Sequence, residues 1–239
     1  MRNNTEHREK RRTGARTTLL SPHYLSVRPL EDWLQRVALH YVHGVLLDLG
    51  CGNKPYAGMF IKHVDKYIGA DVQQNSQNTV DAIIDIAGRL PFEEASFGTV
   101  LSTQVLEHVE QPGVHLQEIA RVLRPGGILV LTVPASYMLH EEPFDYHRFT
   151  LYGIKHLLEQ SHFTPVRIDT TGGAWRLIGQ TFINHKSFGR RWTIPLLSGV
   201  VYYSTVLLGN ILFSVLDDLN TNRKDPSNYL VIARREAGK

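Results

Sequence analysis

From Val45 onward the chain alternates between two hydrophobic periods. Val45-Leu46-Leu47-Asp48-Leu49 is a short apolar run bounded by glycines, the pattern of a strand buried on both faces. Similar runs recur at Tyr67–Ala70, Ala82–Ile84, Thr99–Ser102, Ile128–Val133, Val166–Ile168 and Tyr229–Ala233. Between them the spacing turns helical. Leu116, Ile119, Ala120, Val122 and Leu123 share one helix face that stops at Arg124-Pro125-Gly126-Gly127. A helix carrying Leu151, Ile154, Leu157 and Leu158 starts behind Thr150, a suitable N-cap, and another starts from about Pro55. Ahead of the first strand, Leu30, Trp33, Leu34, Val37, Ala38 and Tyr41 predict a helix entered at Pro29 and ended near Gly44. Strands alternating with helices predict an α/β fold with a doubly wound, mostly parallel sheet, because parallel neighbours need crossover connections.

One segment departs from this pattern. Trp192 to Leu216 holds no charged residue and is long enough to span a bilayer. Its Pro195, Gly199, Ser204, Gly209 and Asn210 predict two shorter helices instead. A single crossing would also put the strands at 166–168 and 229–233 on opposite sides of the membrane. The expected roles are a buried cap, a homo-oligomer interface, or peripheral contact with a membrane.

At 239 residues, with 42% hydrophobic and 21% charged, the chain suits one globular domain. The expected boundaries are a basic, flexible tail over 1–28 and a single domain over 29–239, with the apolar helical insertion at about 175–222. The net charge of +3 is unevenly placed. Residues 1–16 hold Arg2, Arg8, Lys10, Arg11, Arg12 and Arg16 against Glu6 and Glu9, which leaves the rest near neutral. A near-neutral body argues against nucleic acid as a partner, since phosphate contacts need clustered basic residues. The lone Cys51 excludes an internal disulfide, and no apolar stretch precedes Leu19, so the expected setting is cytoplasmic, with membrane contact at most peripheral.

Candidate chemistry begins at Asp48-Leu49-Gly50-Cys51-Gly52, where a strand runs into a glycine turn that lets a ligand approach the backbone. Asp71 lies 19 residues past Gly52, at the end of the second strand, where an acidic side chain meets ribose hydroxyls. A nicotinamide-dependent dehydrogenase shares both features. It would continue toward a third turn glycine and a second catalytic domain, and neither is visible. The bland readings are that Asp48 caps the next helix, that Cys51 is a small packing residue, and that Asp85 is a turn residue.

Over about residues 45–165 the sequence resembles the class I S-adenosylmethionine-dependent methyltransferases, in particular those acting on small molecules and on glycan or lipid intermediates. The resemblance rests on Leu46 to Gly52, Gly69-Ala70-Asp71, Leu90-Pro91-Phe92 with Ser96-Phe97, Val105 to Val109, and Arg121 to Gly127, in this order and spacing. It implies a Rossmann-like, seven-stranded, mostly parallel sheet with an antiparallel last strand, preceded by the helical insertion. It also implies S-adenosylmethionine as cofactor. The turn with Asp48, Gly50, Cys51 and Gly52 would hold the amino-acid end of that cofactor. Asp71, with Val72 beside it, would take the ribose. Asp85 and Ile86 would face the adenine, and Thr103 and Gln104 would line the pocket near the sulfonium. Two departures are visible: Asn53-Lys54-Pro55-Tyr56 replaces the third glycine, and Gly98 stands where many relatives have Asp. Lys54 beside a cationic cofactor is expected to point to solvent or to an acidic partner.

His140-Glu141-Glu142-Pro143-Phe144-Asp145-Tyr146-His147-Arg148-Phe149 follows the fifth strand, beyond whose carboxyl end ligands bind in such sheets. Relatives carry a similar stretch beside the acceptor pocket. His108, Tyr146 and His147 are therefore the candidate catalytic bases. Glu141 and Glu142, being adjacent, would point to opposite faces, so no metal site is expected. The function implied is methyl transfer to a small-molecule or lipid- or glycan-linked acceptor. The alternative is a non-catalytic cofactor-binding subunit that regulates a partner enzyme.

Overall fold

A computed structural model describes residues 16–85, 88–185 and 195–237. Its strands are β1 (Val45–Leu49), β2 (Lys66–Asp71), β3 (Ala82–Ile83), β4 (Phe97–Thr103), β5 (Leu123–Pro134), β6 (Phe163–Thr171) and β7 (Asn228–Arg235). They form one seven-stranded sheet in the order β3-β2-β1-β4-β5-β7-β6. Pairings among β1 to β5 are parallel, and β7 runs antiparallel to both β5 and β6. The expected sheet, with its antiparallel last strand, is the one observed.

Helices α1 (Tyr24–His40), α2 (Ala57–Phe60), α3 (Pro112–Val122), α4 (Leu151–Gln160), α5 (Ala174–Asn184) and α6 (Pro195–Leu219) accompany it. Strand β1 shows how the faces divide. Leu47 and Leu49 pack with Leu116 and Ile119 of α3 and Ile154 and Leu158 of α4. Leu46, on the opposite face, packs with Leu30, Trp33, Leu34 and Val37 of α1 and with Phe60. Full burial of each such side chain stabilises the fold by roughly 1.5–3 kcal/mol. Asp48 falls on the α1 side of the sheet by the alternation of the strand.

Three boundaries differ from expectation. Helix α1 begins at Tyr24, so Pro29 lies inside it rather than at its entrance. The hydrogen bond a residue 29 N–H would make is forgone, and burial of Leu25 against Ile183 and Val206 favours the extra turn. Residues 24–28, expected in the tail, belong to this helix. Thr17 is buried, and its N–H and hydroxyl both donate to the Glu31 carboxylate at 3.0 Å. Residues 1–15, with five of the six basic side chains, lie outside the described residues.

The apolar segment forms one helix over its described part, α6, not two. Pro195 opens the helix, where a missing N–H costs nothing. A Cβ at Gly209 would sit 3.6 Å from Ile183 Cδ1, so this glycine lies at the packed face between α5 and α6. Buried Asn210 donates to Leu19 O and Ser21 O at 2.7 and 2.9 Å. Two of the residues read as breaks, Gly209 and Asn210, are contact positions. Residues 192–194 lie outside the described residues.

Candidate active site

Strand order reverses between β1 and β4, and doubly wound sheets bind ligands in the crevice beyond that point. The turn after β1 is built for close approach. Gly50 and Gly52 have φ of +68° and +51°, and the N–H groups of Gly50 and Cys51 both donate to Ala70 O, at 2.8 and 3.1 Å. A Cβ on Gly52 would meet nothing within 4 Å, so this stretch of backbone faces open space.

Asp71 ends β2 beside that space and is 8% exposed. Its two carboxylate oxygens accept from Gly52 N at 2.8 Å and Val72 N at 2.7 Å, which aims the side chain across the turn. Each oxygen retains a lone pair for a further donor. Asp48, 1% exposed, accepts from the Tyr67 hydroxyl through Oδ2, while Oδ1 has no hydrogen-bond partner among the described residues. Burial pushes Asp48 up to about 7, against the lowering effect of Tyr67. A buried carboxylate oxygen left open in this way fits a cationic group bound at the turn.

Lys54 does not oppose such a cation. Its ammonium lies 2.6 Å from Asp81 Oδ2, and Asp81 also accepts from Gly69 N at 2.7 Å, so the acidic partner expected for Lys54 is Asp81. Cys51 is buried, and burial followed by the Asp48 charge raises its thiol far above the ordinary range, which leaves it a packing residue. Asp85 is exposed just beyond β3, and Ile86 lies outside the described residues. Thr103 ends β4 and Gln104 follows it. Gln104, at φ +55°, spends its side-chain amide on Thr132 Oγ1 at 3.1 Å, and its N–H on Thr132 O at 3.0 Å. Sequence reasoning missed Tyr67 and Asp81, whose roles follow only from the β1–β2 register that sets Tyr67 beside Leu46.

Residues 47–131 match the model of a family described as a methyltransferase domain. That match and the methyltransferase relatives support the reading of a class I S-adenosylmethionine-dependent methyltransferase domain. An uncharacterised methyltransferase of Mycobacterium leprae is 32% identical over 135 residues, covering 53% of this chain and 48% of the relative. The chain thus spans about half the length of the curated relatives it matches. Among solved methyltransferase structures, a Burkholderia thailandensis 1,6-didemethyltoxoflavin-N1-methyltransferase with bound S-adenosylhomocysteine aligns at TM-score 0.54 and 17% identity, over 88% of this chain and 78% of that one. Haemonchus contortus phosphoethanolamine N-methyltransferase 2, in complex with S-adenosylmethionine, aligns at 0.51 and 16%, over 90% of this chain and 58% of that one. At these identities the likeness is one of fold. The open Gly52 backbone, the aimed Asp71 and the unpartnered Asp48 oxygen fit S-adenosylmethionine, the ligand held in the Haemonchus contortus structure.

The second half of the candidate site lies beyond β4 and β5. A single turn, Leu106–His108, follows the cofactor side directly, since Val105 packs on Gly50. His108 Nδ1 donates to Phe144 O at 2.8 Å, leaving Nε2 turned toward Glu107 Oε1 at 3.9 Å and Glu141 Oε2 at 3.7 Å. Burial lowers the His108 pKa, which keeps the ring neutral. The loop is held by Asp145, whose carboxylate makes two 2.7 Å bonds to Arg148 and accepts from His140 N at 3.0 Å. Burial works to raise Asp145, but Arg148 and the His140 N–H overcome it and hold it at about 2.

The three candidate bases are not brought together. The Tyr146 hydroxyl donates to Glu110 Oε1 at 3.0 Å, and His147 Nε2 lies 3.3 Å from Glu110 O. Only His108 faces Glu107 and His140. Sequence reasoning passed over both of these. Glu107 is fully buried, burial pushes it up to about 8, and neither carboxylate oxygen has a hydrogen-bond partner among the described residues.

Proposed function

We propose that the chain transfers the methyl group of S-adenosylmethionine to an amphipathic, lipid-linked acceptor, with S-adenosylhomocysteine as the other product. The observation that carries this reading is an exposed apolar rim beside the acceptor side. Met138, Leu139 and Phe144 are 51%, 66% and 57% exposed. Asn184 at the end of α5 reaches Met138 Sδ at 3.2 Å, which ties this loop to α5, and α5 and α6 in turn expose Ile178, Phe182, Leu208, Leu212 and Val215. Gly199–Leu219 is long and apolar enough to cross a membrane, and only 17% of it is buried. With β6 paired to β7 on either side of it, the helix lies along a membrane surface on the cytoplasmic side rather than through it.

The cofactor supplies a methyl group already activated by its sulfonium. The chain supplies binding, alignment and exclusion of water. Gly50, Cys51 and Gly52 cradle the amino-acid end, with Asp48 facing its ammonium. Asp71, with Val72 beside it, takes the ribose hydroxyls, Asp85 faces the adenine, and Thr103 and Gln104 border the methyl. Proton removal from the acceptor falls to the group of side chains around His108 Nε2. Tyr146 and His147 position the loop through Glu110.

Methyl transfer assays compare isoprenoid- or acyl-tailed acceptors, such as quinols and lipid-linked sugars, with their tail-less analogues, with and without anionic liposomes. Turnover of tailed acceptors and flotation with liposomes are expected. Equal turnover of tail-less analogues, with the protein absent from the lipid fraction at low and high salt and dimeric in solution, would assign the apolar face to a second copy instead.

A further inference from the structure

We propose that Glu107, His108 and His140 bind a divalent first-row transition metal ion at the acceptor side of the site. One donor atom from each lies within 4.8 Å of the others. Ligands about one ion stand about 3–3.5 Å apart, given metal–ligand bonds near 2.0–2.2 Å, so small side-chain rotations close the set. Both imidazoles are oriented as metal ligands are. The His108 Nδ1–H is held by Phe144 O at 2.8 Å, and His140 Nδ1 lies 3.2 Å from both the Asp145 carboxylate and Met138 O. A ring tied at Nδ1 to a carbonyl or carboxylate presents Nε2 as the free electron pair, the arrangement that fixes metal-ligating histidines. The two rings meet edge to face at 4.9 Å, and Tyr137 packs on His140 at 5.3 Å, which limits their alternative rotamers.

The independent observation is Glu107. A fully buried carboxylate with neither oxygen hydrogen-bonded to another residue carries a desolvation cost that the Arg148 charge offsets only in part. An ion between Glu107 and the two imidazoles would offset the part that the Arg148 charge leaves uncompensated. Two nitrogens and one carboxylate favour first-row transition ions over magnesium or calcium, and such a set leaves coordination positions open. The ligands come from the turn after β4 and the loop after β5, 32 residues apart, which is why adjacent Glu141 and Glu142 suggested no site. The ion's role rests on the proposed methyl transfer: an acceptor hydroxyl entering an open position would be acidified and aligned. The binding itself does not rest on that reading.

The full chain, stripped with a chelator, is titrated with Co²⁺ while visible absorption is recorded, and with Mn²⁺ by electron paramagnetic resonance. One equivalent is expected, with a Co²⁺ ligand-field band. Glu107→Gln and His140→Ala should each weaken binding at least tenfold, while S-adenosylmethionine affinity, measured by calorimetry, stays within about threefold as a check on folding. Absence of binding below about 1 mM in the wild type, or undiminished binding in both variants, overturns the site. Metal binding without any methyl transfer would overturn the proposed function and leave the site standing.

Discussion

A Cβ at residue 50 would lie 2.4 Å from Val105 Cγ2, so the turn that cradles the cofactor and the loop that leads to the acceptor side interlock at a glycine. Gly52, two residues on, has open space at the same distance. Both have positive φ, yet substitution should separate them. Gly50→Ala adds a clash to the backbone strain and should cost about 2–4 kcal/mol of stability. Gly52→Ala should cost about 1 kcal/mol while abolishing measurable cofactor binding, because its methyl group enters the ligand's space. Thermal melting and calorimetry on both variants check this, and equal affinity losses per unit of stability would remove Gly52 from the site.

Cofactor affinity should depend on Asp48. With its pKa at about 7, Asp48 is protonated at pH 6 and ionised at pH 8, and only the ionised form attracts the cofactor's ammonium. Affinity should rise about tenfold across that interval. The free protein should move the other way. A carboxyl raised from 3.8 to about 7 on folding costs stability as pH climbs through that window, since the folded state holds the proton longer. Asp48→Asn should flatten both profiles. Calorimetry and melting temperature between pH 4 and 8 provide the measurements.

Asp217, 1% exposed, closes the insertion onto the domain. It accepts from Gly173 N at 2.9 and 3.1 Å at the start of α5, and from Arg223 at 2.7 Å. Asp217→Ala removes a helix cap and leaves a guanidinium without its partner, which should cost about 2–4 kcal/mol. Hydrogen exchange should then accelerate over α5 and α6 while β1 to β5 stay protected. Uniform acceleration would mean that the insertion and the sheet unfold as one unit.

Tyr146→Phe should leave cofactor affinity within about threefold and cost under ~1 kcal/mol, since the hydroxyl makes one exposed bond to Glu110. If Tyr146 only positions the loop, single-turnover methyl transfer should fall by less than about tenfold, whereas His108→Ala should lower it a hundredfold or more. Comparable losses in the two variants would return Tyr146 to the list of bases.

Most of the sheet was legible because its strands carry uninterrupted apolar runs. Leu46, Leu47 and Leu49 are all fully buried, as both-face burial requires. The antiparallel last strand was implied by the resemblance, and the placement of Asp71 at the end of β2 was legible through motif spacing. What escaped was set by tertiary contacts. Pro29 inside α1 and Asn210 inside α6 look like breakers until their partners from other segments are known. Glu107 looked like one more charged residue on a short turn, and only its burial beside two imidazoles from different parts of the chain distinguishes it. Tyr146 and His147 were legible as neighbours of the acceptor side, but their attachment to Glu110 depends on how the loop folds back on the turn after β4.

Strand β7 lies between β5 and β6 and is the partner through which β6 joins the sheet. During synthesis, residues 163–171 therefore leave the ribosome well before the strand that must receive them, and α5 and α6 emerge in the interval. For that time β6 has an unpaired edge, and the most apolar helix of the chain is not anchored by a completed sheet. A nascent chain in this state is exposed to chaperones, and the proposed membrane attachment would precede completion of the sheet.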